Sequence, residues 1–319
     1  MSISAEGALP PACPSSRYRI THKTRYQYSD PVAICQNQVM MLPRQLPRVR
    51  CHDLQVEILP TPGQLGSHTD YFGNPVKTFA IETAHRELSV TVTSDVEVAA
   101  TDFPDAERTE PWERVRDAIA DATDRRWFEV YEFLYPSPLV AIESGFAEYA
   151  AGSFTPGRPI LDAGLDLTRR IHRDFKYDVT ATKVDTTAVA AFGLRAGVCQ
   201  DFAHIEIACL RAIGLAARYV SGYLRTIPPK GKPRLVGADQ SHAWLSLYGG
   251  TEIGWVDLDP TNACLVATDH VPICVGRDYR DVSPMRGVVL GGGSTALTVS
   301  VDVVPVAQGF SAAGRNSSA

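Results

Sequence analysis

Two cysteines stand ten residues apart in the stretch RAGVCQDFAHIEIACLRAIGLAARYVSG, residues 195–222, and their positions give them different chemistry. The pattern predicts an amphipathic helix between Gly197 and Gly214, with Cys199 in its first turn. Backbone N–H groups there lack intrahelical acceptors and the helix dipole is positive, so a thiolate is favoured. Cys209 falls on the apolar face with Ile205, Leu210 and Ile213 and is expected to be an inert packing thiol.

A helix-start cysteine works as a nucleophile only with a base and a group that orients the base. The segment SHAWLSLYGGTEIGWVDLDPTN, residues 241–262, offers both. Two β-like runs flank GGTE, a hairpin pattern. A turn centred between Gly250 and Thr251 places His242 opposite Asp259, and Trp244 opposite Asp257. Opposed side chains lie about 5 Å apart at Cβ, close enough for an imidazole–carboxylate hydrogen bond. A bulge would shift that register and reopen the choice between the two aspartates. Each residue alone has an ordinary explanation: a small buried hydrophobe, a surface or core histidine, a turn-forming aspartate. Together they predict a thiol site in which Cys199 attacks, His242 carries the proton and Asp259 holds the imidazole tautomer.

The elements around these residues read as α+β. Residues 1–16, rich in Pro, Ala and Ser, are expected to be a flexible tail. Short alternating or β-branched runs between turns (YRITHKTRYQYS, LQVEILPTP, VKTFAIET, ELSVTVTSDVEV) predict a β-rich, sandwich-like domain over residues 17–100. Helical segments near Pro111–Ala122 and Ala141–Ala151 form a connecting region, residues 101–158. The expected catalytic core, residues 159–306, opens with a helix at Pro159–Asp174 carrying Leu161, Leu165, Leu167 and Ile171. It closes with a strand in which Leu297, Val299, Val301 and Val303 alternate with polar residues. Residues 307–319 are expected to be a second tail, and no internal repeat is present.

GVCQDFAH, LRAIGLAARYVSGY, SHAW and GWVDLDPTN closely resemble the core of the transglutaminase-like superfamily, a papain-like thiol fold. The motif positions G-x-C, H-x-W and W-x-x-x-D-P-T fall on Cys199, His242 and Asp259, the last four residues after Trp255. YRITHKTRYQYSDPV, DYFGNPV and the histidine of TAHRELSV resemble the N-terminal domain of bacterial members. The resemblance implies a thiol enzyme acting on amide bonds of peptides or proteins, and leaves hydrolysis or transfer to an amine open. Hydrolysis is the default, because an amine must be bound and desolvated to compete with water. The polar, basic loop RTIPPKGKPRLVGADQ before His242 suits a peptide carboxylate or phosphate better than a lysine side chain.

Further candidates follow from position or from the resemblance. Tyr177, in FKYD, matches a family position at the cleft edge and could donate to an oxyanion or simply pack. Gln200 and Asp201 follow the cysteine directly, and Asp201 also suits a helix start. Trp244 and Trp255 match motif tryptophans, with hairpin packing as the alternative. Asp278 and Tyr279 lie in GRDYRDVSP, which resembles a family loop near the site.

Composition narrows the rest. A net charge of −5 with scattered basic residues argues against nucleic acid. No apolar run is long enough to span a membrane, and the N-terminus lacks a signal-peptide pattern. Seven cysteines with no CxxC pair fit free thiols in a cytoplasmic protein. Dispersed histidines and the lack of an acidic loop predict no metal, and the chemistry needs no cofactor. The sequence also lacks a G-x-S-x-G elbow, a P-loop, a dinucleotide fingerprint and H-E-x-x-H.

Overall fold

The computed structural model describes residues 15–124, 127–226 and 241–306. The expected tails fall outside these residues, except that Ser15 and Ser16 already belong to the first strand. Most of the basic loop before His242 also lies outside them. Five strands come first: β1 (Ser15–Val39), β2 (Val49–Leu59), β3 (Gln64–Thr69), β4 (Pro75–Ile81) and β5 (His85–Ala99). Among the described residues four α-helices follow, α1 (Trp112–Ala120), α2 (Phe128–Tyr131), α3 (Ser144–Ala151) and α4 (Ile160–Asp174). Next come β6 (Lys176–Tyr177), α5 (Ala188–Leu194), β7 (Ala196–Gly197) and α6 (Cys199–Ala212). The chain ends in β8 (Ala217–Leu224), β9 (Ser241–Tyr248), β10 (Trp255–Asp259), β11 (Cys264–Leu265), β12 (His270–Gly276), β13 (Met285–Gly291) and β14 (Thr295–Pro305).

The architecture is α+β, with a β-rich half-barrel ahead of a core of helices and sheet. The first sheet is one bent sheet of seven strands, where a sandwich was expected. Strand β1 is its spine: the N-terminal half runs between β5 and β14, the C-terminal half between β4 and β13. The pairing with β5 shifts register between Gln27 and Val32, a stretch that includes Pro31, which has no N–H to give. The alternating C-terminal strand therefore belongs to the N-terminal sheet and not to the core. Alternation specifies which face of a strand is buried; it does not specify the neighbour.

The second sheet has the order β11-β10-β9-β8-β12 and packs on α6. That helix is not amphipathic as expected, because every residue from Gln200 to Arg211 is buried. A helix enclosed on all sides must satisfy its polar side chains internally. The Arg211 guanidinium does so by donating to the carbonyls of Phe133, Tyr135, Ala217 and Arg277 at 2.8–3.1 Å, next to the negative end of the helix. Glu206 meets the hydroxyl of Thr168 on α4 at 2.7 Å.

The two sheets share one hydrophobic core, in which Tyr18, Ile20, Val301 and Val303 of the first join Leu245 and Leu258 of the second. Asn74 clamps the junction through both N and O of Val275, at 2.9 and 2.8 Å. Among the described residues, no helix is long and apolar enough to cross a membrane.

Candidate active site

Cys199 is the first residue of α6, as the sequence pattern placed it. The turn before it is held from inside the helix: Asp201 reaches back and accepts the Val198 N–H at 2.8 Å and the Thr182 hydroxyl at 2.6 Å. This carboxylate lies over Gly197, where an added Cβ would sit 2.7 Å from the Cβ of Asp201. Glycine two residues before the cysteine is thus a steric requirement. Asp201 is 1% exposed and does not line the cleft, so its place is the helix start and not substrate contact.

His242, near the start of β9, meets Asp259 at the end of β10, with Nε2 to Oδ2 at 2.8 Å. The hairpin register differs from the expected one. Asp257 pairs with Ser246, and Leu258 with Leu245, two residues off. The turn is longer than expected and is closed by Gly249 N–H to the Gly254 carbonyl at 2.8 Å. A two-residue slip preserves the face of each side chain, so Asp259 still reaches His242 on the diagonal. Asp257 points the same way one repeat further along, where Ser246 and Arg48 hold it, the latter at 2.6 Å.

Asp259 is wholly buried and fully used. Its Oδ1 accepts the backbone N–H groups of Thr261 and Asn262 at 2.9 and 3.2 Å. Its Oδ2 accepts from His242, from Asn262 Nδ2 at 2.7 Å and from His270 Nε2 at 2.9 Å. Burial opposes its charge, but these donors win and hold the carboxyl well below the usual range. Burial likewise opposes a charge on His242. The hydrogen bonds to Asp259 and Cys199, with the charges of both, outweigh it and push the imidazole up to about 10. Since Nε2 is committed to Asp259, Nδ1 is the nitrogen left for the thiol.

The cleft around Cys199 and His242 encloses about 290 Å³ and has two walls. The core contributes Val198, Gln200, Tyr219 and Ser221; the half-barrel contributes Thr24 and Tyr26 of β1 with Leu297 and Val299 of β14. His22, buried on the same strand, hydrogen-bonds Tyr223 at 2.7 Å, and burial pushes its imidazole down to about 4. Tyr279 also lines the cleft. Its backbone N–H donates to His204 of α6 at 3.1 Å. Asp278 does not face the cleft. It is buried and accepts N–H bonds from Leu139 and Arg280, each at 2.8 Å, which fixes the loop.

The other candidates divide. Gln200 lines the cleft, but its amide N–H already donates to the Val184 carbonyl at 2.9 Å. Tyr177 is 47% exposed and stands edge-on to Phe202, outside the cleft lining. Trp244 is fully buried behind the site, with its ring 6.0 Å from His242 and 5.4 Å from His270. Gly222 makes room for it, since a Cβ there would approach the indole to 2.4 Å. Trp255 lies at the far end of the hairpin, under the Arg218 guanidinium at 4.3 Å and beside Phe133, in a separate cavity. Both tryptophans are packing residues, and neither touches the cleft.

His270, Asn262 and the β1–β14 wall were not singled out in the sequence. Asn262 stands in the DPTN motif, a local signal; His270 has none, being three strands from β10 in the sheet order. One donor atom each of His242, Asp259 and His270 lies within 4.8 Å of the others. A cation could sit there only by taking the place of both N–H···O bonds to Asp259.

The family model for the transglutaminase-like superfamily matches residues 148–260, and that for the bacterial transglutaminase-like N-terminal region matches residues 18–97. The chain belongs to the transglutaminase-like superfamily, in the form that carries the bacterial N-terminal region. An uncharacterized protein of Mycobacterium tuberculosis is 39% identical over 311 residues, covering 95% of this chain and 98% of the relative. A protein-glutamine gamma-glutamyltransferase of Pseudomonas aeruginosa is 37% identical over 98 residues, 30% of this chain and 14% of that protein. The structure of a candidate cysteine protease from Cytophaga hutchinsonii superposes with a TM-score of 0.73 over 93% of each chain; at 20% identity this likeness concerns the fold alone.

Proposed function

We propose that this protein is a thiol acyl-transfer enzyme that cleaves amide bonds of peptides or proteins, with hydrolysis as the main outcome. One observation carries the reading: His242, hydrogen-bonded to the buried Asp259, lines a two-walled cleft together with Cys199. The Cys199 sulfur adds to the amide carbon, and the proton taken up at His242 Nδ1 passes to the leaving nitrogen. A thioester forms as the C–N bond breaks. Water, deprotonated by the same nitrogen, then attacks the thioester, and the sulfur leaves as the thiolate. Asp259 keeps Nε2–H in place throughout and stabilises the imidazolium. The N-terminal end of α6 supplies backbone N–H groups toward the developing oxyanion.

Transamidation is the second reading, and the half-barrel wall favours it. Leu297 and Val299, 55% and 48% exposed, continue the buried stripe of Val301 and Val303 into the cleft. Such an apolar surface could desolvate an amine. The test is mass spectrometry of products from a peptide library, with and without a millimolar primary amine. Predominantly hydrolysed products in both arms support hydrolysis; amine incorporation exceeding hydrolysis would promote transfer to first place. No product in either arm, at full occupancy of folded protein, would leave a binding scaffold.

A further inference from the structure

We propose that His270 is a positioning residue of this site, holding Oδ2 of Asp259 at the point where it meets His242. The inference rests on the Cys199–His242–Asp259 reading and extends it to a residue that touches neither the thiol nor the cleft. A carboxylate oxygen accepts hydrogen bonds and gives none, so both imidazoles at Oδ2 must present Nε2–H. Both rings thereby carry a proton on Nε2. His242 keeps Nδ1 for the thiol, while His270 turns Nδ1 into a buried place without a hydrogen-bond partner.

An imidazole nitrogen buried and unpaired costs free energy, and a packing residue of the same shape would avoid that cost. Among the described residues, the one hydrogen bond of the His270 ring is the bond to Asp259. The strand order makes the contact more telling. His270 begins β12, with β8 and β9 lying between it and β10. Gly222 of β8 pairs with His242 and has no side chain, and the Trp244 ring fills the space beneath both imidazoles. The three donors to Oδ2 thus come from three separate segments, β9, the turn after β10, and β12. Without His270, Asp259 would be tethered chiefly by its own turn and free to rotate Oδ2 away from His242.

Two substitutions test this in the full chain. His270→Phe keeps a ring against Trp244 and removes the donor; His270→Gln returns an N–H near the position of Nε2. The readout is the rate of Cys199 alkylation by iodoacetamide near pH 6.5, followed by peptide mapping, with near-UV circular dichroism as the control for folding. Loss of one hydrogen bond to a charged group predicts alkylation about tenfold slower in the Phe variant, and recovery to within about threefold in the Gln variant. Proton NMR gives an arm that does not depend on the thiol. The parent should show two far-downfield imidazole N–H resonances, and His270→Phe only one. A folded Phe variant that alkylates at the parent rate, or a Gln variant as slow as Phe, would overturn the proposal; so would a parent spectrum with only the His242 resonance. If Cys199 of the parent is itself unreactive, the enzyme reading fails, and the NMR arm still decides the role of His270.

Discussion

The two ends of the β9–β10 hairpin carry the same kind of residue in different settings. At the closed end, Asp257 faces Ser246 and the Arg48 guanidinium of the half-barrel, a domain-joining ion pair that is partly exposed. At the open end, two residues along the same face, Asp259 is wholly buried and collects two imidazoles and an asparagine. Residue type and strand face are identical, so the difference comes from what the neighbouring strands bring. A charge that meets an opposite charge near solvent ties two domains together. A buried anion fed by imidazole N–H groups controls where a proton resides.

The largest test of this contrast is the pair of amide substitutions. Asp259→Asn should leave the fold intact and reduce turnover by about four orders of magnitude, because the imidazole loses its orienting acceptor. Asp257→Asn should cost about tenfold or less in turnover and act mainly through the Arg48 contact, read as a lower melting temperature. Comparable losses in the two variants would erase the distinction between the hairpin ends.

Glu206 sharpens the comparison from behind the site. It is fully buried; burial pushes it up to about 8, the Thr168 hydroxyl works against that, and the Asp259 charge adds to it. The Thr168 hydroxyl donates to Glu206 at 2.7 Å but lies 2.9 Å from the Gly164 carbonyl as well, and its single hydrogen is divided between the two acceptors. From about 4.5, the ordinary value, to about 8, the folded chain holds a proton that the unfolded chain has lost. Stability contributed by this group therefore falls as pH rises through that window. Denaturant titrations at pH 5 and pH 8 should show the parent losing about 2–4 kcal/mol more than Glu206→Gln. Parallel pH dependences would show that Glu206 is ionised in the folded state.

The smallest expected effect concerns metal. The donors of His242, Asp259 and His270 are taken up by hydrogen bonds to one another. Dialysis against a chelator should change the Cys199 alkylation rate by less than about twofold, within the spread of a neutral perturbation. A larger change would mean that a cation competes for Asp259.

What could be read from the sequence followed from local spacing. Gly197 before Cys199, and the periodic run after it, placed the thiol at the start of α6. The pairing of His242 with Asp259 survived a register error because a shift of two residues keeps the face. Spacing failed where a position depends on the order of strands. The stripe from Leu297 to Val303 announced a half-buried strand, yet nothing in its period named β1 as its partner. His270 reaches Asp259 from β12, with β8 and β9 between them in the sheet order, a contact that no local spacing announces. Trp255 stands in the motif beside the site but belongs to the other end of the hairpin, since a five-residue strand separates what the motif writes together.

If Cys199 is the working thiol, the second cysteine of the same helix is its internal control. Cys209 is buried among apolar side chains, and burial pushes its thiol well above the ordinary range. Treating the folded protein with substoichiometric iodoacetamide near pH 6.5 and mapping the labelled peptides compares the two directly. Label is expected on Cys199 well before Cys209, with the preference diminished in Asp259→Asn. Equal labelling of the two cysteines, or Cys209 first, would contradict it.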